Sequence, residues 1–318
     1  MTDILCMGQL VLDCLVRNIH EKSPSQRSAV AEEIGLHVGG DALNEAVISS
    51  RLGHSVAVAG FVGDDPAGKI IRSALAKQGC DISRIVSRDG VRTPIANIMI
   101  GSDGSRTSVN SMAVRLNGNH IDPEMVDRFR AVTFASCFRA PLDDAENNYQ
   151  LAKAARRKGA LVIADCKVPL YEIEPIAAFG RFFSCVDYFF PNETEAGYYS
   201  GVSLTSQSPQ QDFRKAAEFF LDLGAKNVII KAGSRGCYFL NRTEEYLLDA
   251  LPAEVIDTTG AGDSFVAGFL NALLEGKNNR DCCLYGLACA SLAVQSQGAS
   301  SGVRSREELE EVFRKYCR

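Results

Sequence analysis

Residues 257–270 read DTTGAGDSFVAGFL. A glycine-bearing turn, Gly260-Ala261-Gly262, leads through Asp263 into an apolar run, so the stretch predicts a strand end, a tight turn and a helix beginning near residue 262. Glycines let backbone N–H groups approach a ligand closely, and a helix N-terminus adds positive partial charge. The turn is therefore an anion site by construction. It is not a Walker loop, because no Lys-Ser or Lys-Thr follows the glycines, and it lacks the third glycine of a dinucleotide turn. Asp263 sits beside the expected anion, where a mere neighbour would repel phosphate. It makes sense as a general base that takes a proton from a hydroxyl while the amides hold a transferred group. An aspartate satisfying the helix dipole is the plainer alternative.

Outward from this stretch, short β-branched runs alternate with helical patterns, as in a parallel sheet covered by helices. Strands are expected at 4–8, 55–63, 131–136, 160–166, 186–192, 227–233 and 236–240. Helices are expected at 39–53, 67–79, 143–158, 209–223, 262–275 and 281–296, with a charged one closing the chain. Residues 10–38 and 91–115 break the alternation with strand-like runs and no helix between them. They predict either a small antiparallel sheet projecting from the main one or ordinary edge hairpins.

Composition narrows the function. The net charge is −5 with a pI near 5.5, and no basic run stands out, which argues against nucleic acid and anionic membranes as partners. No apolar stretch approaches a membrane span, and the start reads as a first strand rather than a signal peptide. Eleven cysteines show no C-x-x-C pair, so reduced structural thiols in a cytoplasmic protein are expected.

Two further constellations carry polar groups. In HVGGDALNEA (37–46) a glycine pair precedes a helix, and Asp41 and Asn44 lie three residues apart on one face. Carboxylate plus amide suits vicinal sugar hydroxyls, and it also suits a polar N-cap. In PNETEA (191–196), Asn192 and Glu195 follow a strand at the end where open α/β sheets bind ligands. They could order waters around a phosphate-bound Mg²⁺, or form a capping box.

Taken in order and spacing, these elements resemble the ribokinase-like (PfkB) carbohydrate kinase family. The resemblance rests on Gly8 to Asp13, GGDALN near 40, PNETEA near 192, KAGSRG (231–236) and DTTGAGDSF (257–265), and runs on to QGAS (297–300). It implies a three-layer α/β/α sandwich with a mostly parallel central sheet, built from 1–9, 39–90 and 116–318. A small β-sheet lid over 10–38 and 91–115 would often serve as a homodimer interface. It further implies an ATP- and Mg²⁺-dependent kinase acting on a small sugar. Asp263 matches the family's catalytic base, and the amides of Gly260, Ala261 and Gly262 match its anion hole. Asp13, Gly40, Asp41 and Asn44 match sugar-binding positions, whereas Asn192 and Glu195 match the pair near the nucleotide phosphates and Mg²⁺. Lys231, Gly233 and Gly236 match the stretch along the nucleotide. In members activated by a monovalent cation, carbonyls near Asp257, Thr259, Ala293, Ser296 and Gly298 would hold K⁺.

The chain also departs from the family pattern. GGDALN stands where GGKGAN or GGAPAN is frequent, an aspartate familiar in 2-keto-3-deoxygluconate kinases and in sugar kinases of undefined substrate. Val11 replaces an asparagine that ribokinases use on the sugar, which argues against ribose. ADCKVP (164–169) lacks the asparagine-and-arginine run of many fructokinases; Lys167 compensates in charge but not in the planar geometry of a guanidinium. The acceptor class therefore spans ribose-, fructose- and 2-keto-3-deoxygluconate-type compounds. A nucleoside kinase, for which Leu10 and Val11 leave room, and a catalytically idle sugar- or nucleotide-binding regulator are the rival readings.

Overall fold

The computed structural model describes residues 2–19, 29–101, 106–111, 120–205 and 207–317. In the first strand, β1 (Ile4–Met7), Ile4 and Cys6 pack into one core while Leu5 and Met7 pack into another. All four are fully buried. A strand covered on both faces has no polar side, which is why these strands read as continuous apolar runs.

The main sheet adds β4 (Val56–Gly63), β5 (Asp81–Arg88), β8 (Ala131–Cys137), β9 (Leu161–Cys166), β10 (Tyr188–Phe190), β11 (Asn227–Lys231), β12 (Cys237–Asn241) and β13 (Glu245–Leu248). Their order is β13-β12-β11-β10-β9-β8-β1-β4-β5. Every pair is parallel except β11–β12 and β12–β13 at one edge. Helices α1 (Asp41–Arg51), α2 (Pro66–Lys77), α7 (Ala261–Leu274), α8 (Asn279–Ala293) and α9 (Arg306–Tyr316) cover one face. Helices α3 (Ala145–Arg157), α4 (Gly180–Phe183), α5 (Glu193–Ser200) and α6 (Gln210–Leu223) cover the other. The chain is thus the expected three-layer α/β/α sandwich.

A separate sheet contains β2 (Val11–Ile19), β3 (Ala31–Gly39), β6 (Ile95–Ile100) and β7 (Arg106–Asn110), in the order β3-β2-β6-β7. Its central pair, β2–β6, is parallel, which corrects the expectation of a purely antiparallel sheet. The reason is topological: both strands leave the main body in the same direction, and the long β4–α2–β5 excursion between them supplies the crossover that parallel pairing requires. Val11, Leu15, Ala96 and Ile98 form a small core on one face. The expected projecting segments also include 20–28, 102–105 and 112–115, which lie outside the described residues.

Strands β5 and β13 and helices α4 and α5 do not emerge from periodicity. β5 is a half-buried edge strand without clean alternation, and α5 takes over Asn192, which the sequence reading assigned to the end of a strand. All eleven cysteines are free thiols, eight of them buried, as their structural reading requires. Among the described residues no helix is long and apolar enough to cross a membrane.

The α3–α6 face is built on aromatic rings. Phe183 is fully buried and meets Phe138, Phe182, Phe189 and Phe220 at centroid distances of 6.3, 5.7, 5.1 and 6.1 Å. Phe183→Ala is expected to cost about 3–5 kcal/mol in urea denaturation; a loss under about 1 kcal/mol, the scale of an average substitution, would contradict this role.

Candidate active site

The DTTGAGD turn closes where α7 meets the loop following α8. Gly260 is the N-cap of α7 in the left-handed region (φ 75°), and a Cβ there would lie 2.0 Å from the Ala299 carbonyl oxygen. Only glycine meets both conditions. Within the first turn the Ala261 N–H donates to Thr258 O at 3.3 Å, and the Ser264 N–H makes the first helical bond, to Gly260 O. The N–H groups of Gly262 and Asp263 fall among those a helix leaves without intrahelical partners.

A second glycine turn approaches the first. Gly40 caps α1 at φ 95°, and a Cβ there would come within 2.4 Å of Gln9 O. A Cβ on the preceding Gly39 would lie 2.2 Å from Asp13 Oδ2, so the Asp13 carboxylate lies directly over that glycine. One turn into α1, Asn44 Nδ2 donates to Asp263 Oδ2 at 2.6 Å across 219 residues of sequence. Both side chains are buried, and the bond fixes the carboxylate against the two turns.

Two ion pairs lie beside these turns. Asp41 Oδ2 lies 3.3 Å from Lys167 Nζ. Lys231 Nζ is hydrogen-bonded to Asp165 Oδ2, and a Cβ on Gly262 would stand only 3.3 Å from that ammonium. Lys231 therefore lies against the glycine turn. Burial pushes Asp41 up to about 7 and Asp165 up to about 6, although Lys167 and Lys231 respectively oppose the shift. Burial works against both lysine charges as well, but the surrounding carboxylates prevail and both pKa values move up. The lysines stay cationic.

Asn192 and Glu195 form a reciprocal capping box: the Glu195 N–H donates to Asn192 Oδ1 at 2.9 Å, and the Asn192 N–H donates to Glu195 Oε2 at 2.8 Å. The structural reading of PNETEA is thus realised, while the Lys231 N–H donates to Pro191 O and keeps this turn beside the KAGSRG segment. Asp165, Cys166 and Glu195 bring their side-chain donor atoms within 4.8 Å of one another. The two carboxylates offer the hard oxygens that Mg²⁺ takes, whereas the Cys166 thiol is pushed up by burial and stays protonated. Gly233 and Gly236 shape the β11–β12 turn. A Cβ on Gly236 would fall 1.9 Å from Leu248 O, so close packing against the end of β13 already demands glycine there.

The segments around Asp257 and Gly298 also meet. Asp257 Oδ1 accepts from the Thr259 N–H and hydroxyl at 2.9 and 2.7 Å, and its Oδ2 accepts from the Gly298 N–H at 3.0 Å. Val294 O accepts from the N–H groups of Ile256 and Asp257, and Ala293 O from the Ser296 N–H.

Two acidic groups escaped the sequence reading. Asp165 lies inside an apolar strand run, and only the lysine aimed at it from β11 marks it. Glu45 is 1% exposed on the inner face of α1, and neither carboxyl oxygen has a hydrogen-bond partner of ordinary geometry among the described residues. Burial holds Glu45 well above the usual carboxylate range, so it is a neutral acid.

With this geometry in view, a model of the pfkB family carbohydrate kinases matches residues 1–306. The chain is 31% identical to a ribokinase of Haemophilus influenzae over 277 residues, covering 86% of this chain and 87% of that protein. It is 25% identical to a 5-dehydro-2-deoxygluconokinase of Geobacillus thermodenitrificans, covering 98% and 93%. The solved structure of Arabidopsis thaliana ribokinase complexed with ribose and ATP superimposes with a TM-score of 0.84 at 26% identity, covering 98% of each chain. The chain belongs to the pfkB family of carbohydrate kinases, and it is a sugar kinase.

Two variants probe how the site is held. Gly260→Ala forces a side chain into the left-handed region, at about 1–2 kcal/mol, and into Ala299; its thermal midpoint should fall clearly below wild type, and an unchanged midpoint would contradict the turn geometry. Glu45 has a raised folded-state pKa, so its contribution to stability is complete below its unfolded value of 4.5 and fades as pH rises toward the folded value. Glu45→Gln should therefore gain stability relative to wild type as pH rises above the unfolded value of 4.5, read as a growing difference in thermal midpoint. A pH-independent difference would show that Glu45 does not fold as a neutral acid.

Proposed function

We propose that this kinase transfers the γ-phosphoryl group of ATP to a hydroxyl of a monosaccharide or sugar acid, with Asp263 as general base. The observation that carries the reading is the buried Asn44–Asp263 hydrogen bond, which holds a carboxylate on the rim of an amide-lined turn. Asp13, Gly40, Asp41 and Asn44 hold the acceptor on one side of Asp263 in this reading. On the other side, backbone amides of the Gly260–Gly262 turn and the Lys231 ammonium receive the transferred group.

Asp263 takes the hydroxyl proton as the new O–P bond forms, and the bond to the β-phosphate oxygen breaks to release ADP. Such transfer needs alignment and charge neutralisation more than covalent chemistry. The site is built for both, since its groups are fixed before the acceptor arrives. Asp165 and Glu195 would hold Mg²⁺, directly or through water, and the ion would neutralise charge on the donor phosphates. Asn192, Gly233 and Gly236 flank the nucleotide in the same reading. The meeting of Asp257 and Thr259 with Ala293, Ser296 and Gly298 supports a K⁺ site built from their carbonyls.

The four-stranded sheet acts as the lid and as a homodimer interface. Its register places Ile34, Leu36, Ile95 and Val109 on one face, opposite the small core, and all four are exposed. The uniformly free thiols support a reducing, cytoplasmic setting.

Asp263→Asn should lower kcat for sugar-dependent ATP consumption by roughly 10²–10⁴-fold with the fold retained by circular dichroism. Near-full turnover in a folded variant would remove Asp263 from the chemistry.

A further inference from the structure

We propose that the Asp41–Lys167 ion pair sets the charge class of the acceptor and selects a neutral polyol sugar over a sugar acid. The inference rests on the kinase reading above. Likeness to relatives does not decide the matter, because the chain resembles both a ribokinase and a 5-dehydro-2-deoxygluconokinase.

A carboxylate-bearing acceptor needs a cation free to receive it. Among the described residues two lysines lie at this site, and each already holds a carboxylate: Lys167 pairs with Asp41, and Lys231 with Asp165. Arg139, beside the same loop, donates from Nε and Nη2 to Val168 O at 3.0 and 2.8 Å and is thereby turned to structural use. Around Lys167 the electrostatic neighbours are Asp41, Asp263, Glu195 and Asp165. Among the described residues, Asp41 and Asp263 against the one ammonium of Lys167 leave an acidic surface on the acceptor side, even with Glu45 neutral and with Mg²⁺ neutralising Asp165 and Glu195. A further carboxylate brought to it would meet like charge, a juxtaposition that opposes binding.

The pair is also placed to meet an acceptor. Its side chains keep 29% (Lys167) and 15% (Asp41) of their surface exposed, so both stay accessible from solvent. The Lys167 backbone is pinned: its N–H donates to Cys137 O at 3.1 Å, and its carbonyl accepts from the Tyr199 hydroxyl at 2.6 Å. Lys167 therefore offers donors and Asp41 acceptors from fixed positions, one complement to a pair of neighbouring hydroxyls. Desolvating a ready-made, mutually neutral pair costs less than desolvating either charge alone.

The test uses the full chain with Mg-ATP at pH 8, where Asp41 is ionised. Neutral aldoses and ketoses are each paired with the sugar acid of the same carbon skeleton. ADP formation is followed together with phosphoester product. The neutral member of the best-turned-over pair should have the higher kcat/KM by about tenfold or more, the discrimination that 1.4 kcal/mol provides. Asp41→Asn, which releases Lys167, should move the ratio toward the acid, and Lys167→Met should move it further toward the neutral sugar. A wild-type preference for the acid, or a ratio indifferent to Asp41→Asn in a variant that still turns over sugar, would overturn the inference and leave the kinase reading standing. Silence with every compound of both classes would remove the kinase reading and the inference with it.

Discussion

The hydrogen bond from Asn44 to Asp263 is the constraint on which the site depends. It joins the first turn of α1 to the first turn of α7, two helices that lie on the same face of the sheet and begin at glycine turns. Each turn needs its glycine for a separate steric reason: Gly40 lies against Gln9, and Gly260 against Ala299. The two helix N-termini are thereby locked at a fixed separation with a buried carboxylate between them. A bond from a neutral amide orients that carboxylate without neutralising it. A lysine in the same place would hold the charge at the cost of its basicity.

Charge is distributed around that bond in a graded way. Lys231, against Gly262, brings positive charge to the turn where a phosphoryl group is proposed to pass, and Asp165 keeps the ammonium from wandering. Lys167 is held in the same way by Asp41, on the side where the acceptor is proposed to bind. Glu45, one turn beyond Asp41 and sealed from solvent, adds bulk and a proton but no charge. Buried ion pairs seldom add stability over apolar packing of the same shape, so their presence here points to a task other than holding the fold.

Much of this was legible in the sequence. A parallel sheet covered by helices followed from alternating strand and helix periods, the three-layer sandwich from the resemblance to carbohydrate kinases, and the glycine turns with their neighbouring Asp41, Asn44 and Asp263 identified the elements that converge. What stayed hidden was pairing at long range. Asp165 reads as one polar letter in an apolar strand, and nothing local ties it to Lys231. Glu45 looks like any helical glutamate until the strands beneath α1 are in place. The parallel β2–β6 pair depends on the path of the chain through the main sheet, which strand propensity does not report. Asn192 and Glu195 satisfy the local capping pattern first, so sequence alone could not separate that use from any contact with a nucleotide.

The central claim is that this arrangement delivers a phosphoryl group to a carbon-bound hydroxyl rather than to water. ³¹P NMR of the wild-type enzyme with Mg-ATP and single sugars tests it directly. The account predicts, for at least one sugar, a new phosphomonoester resonance that grows one-for-one with ADP. ADP accompanied only by inorganic phosphate, whichever sugar is present, would contradict it.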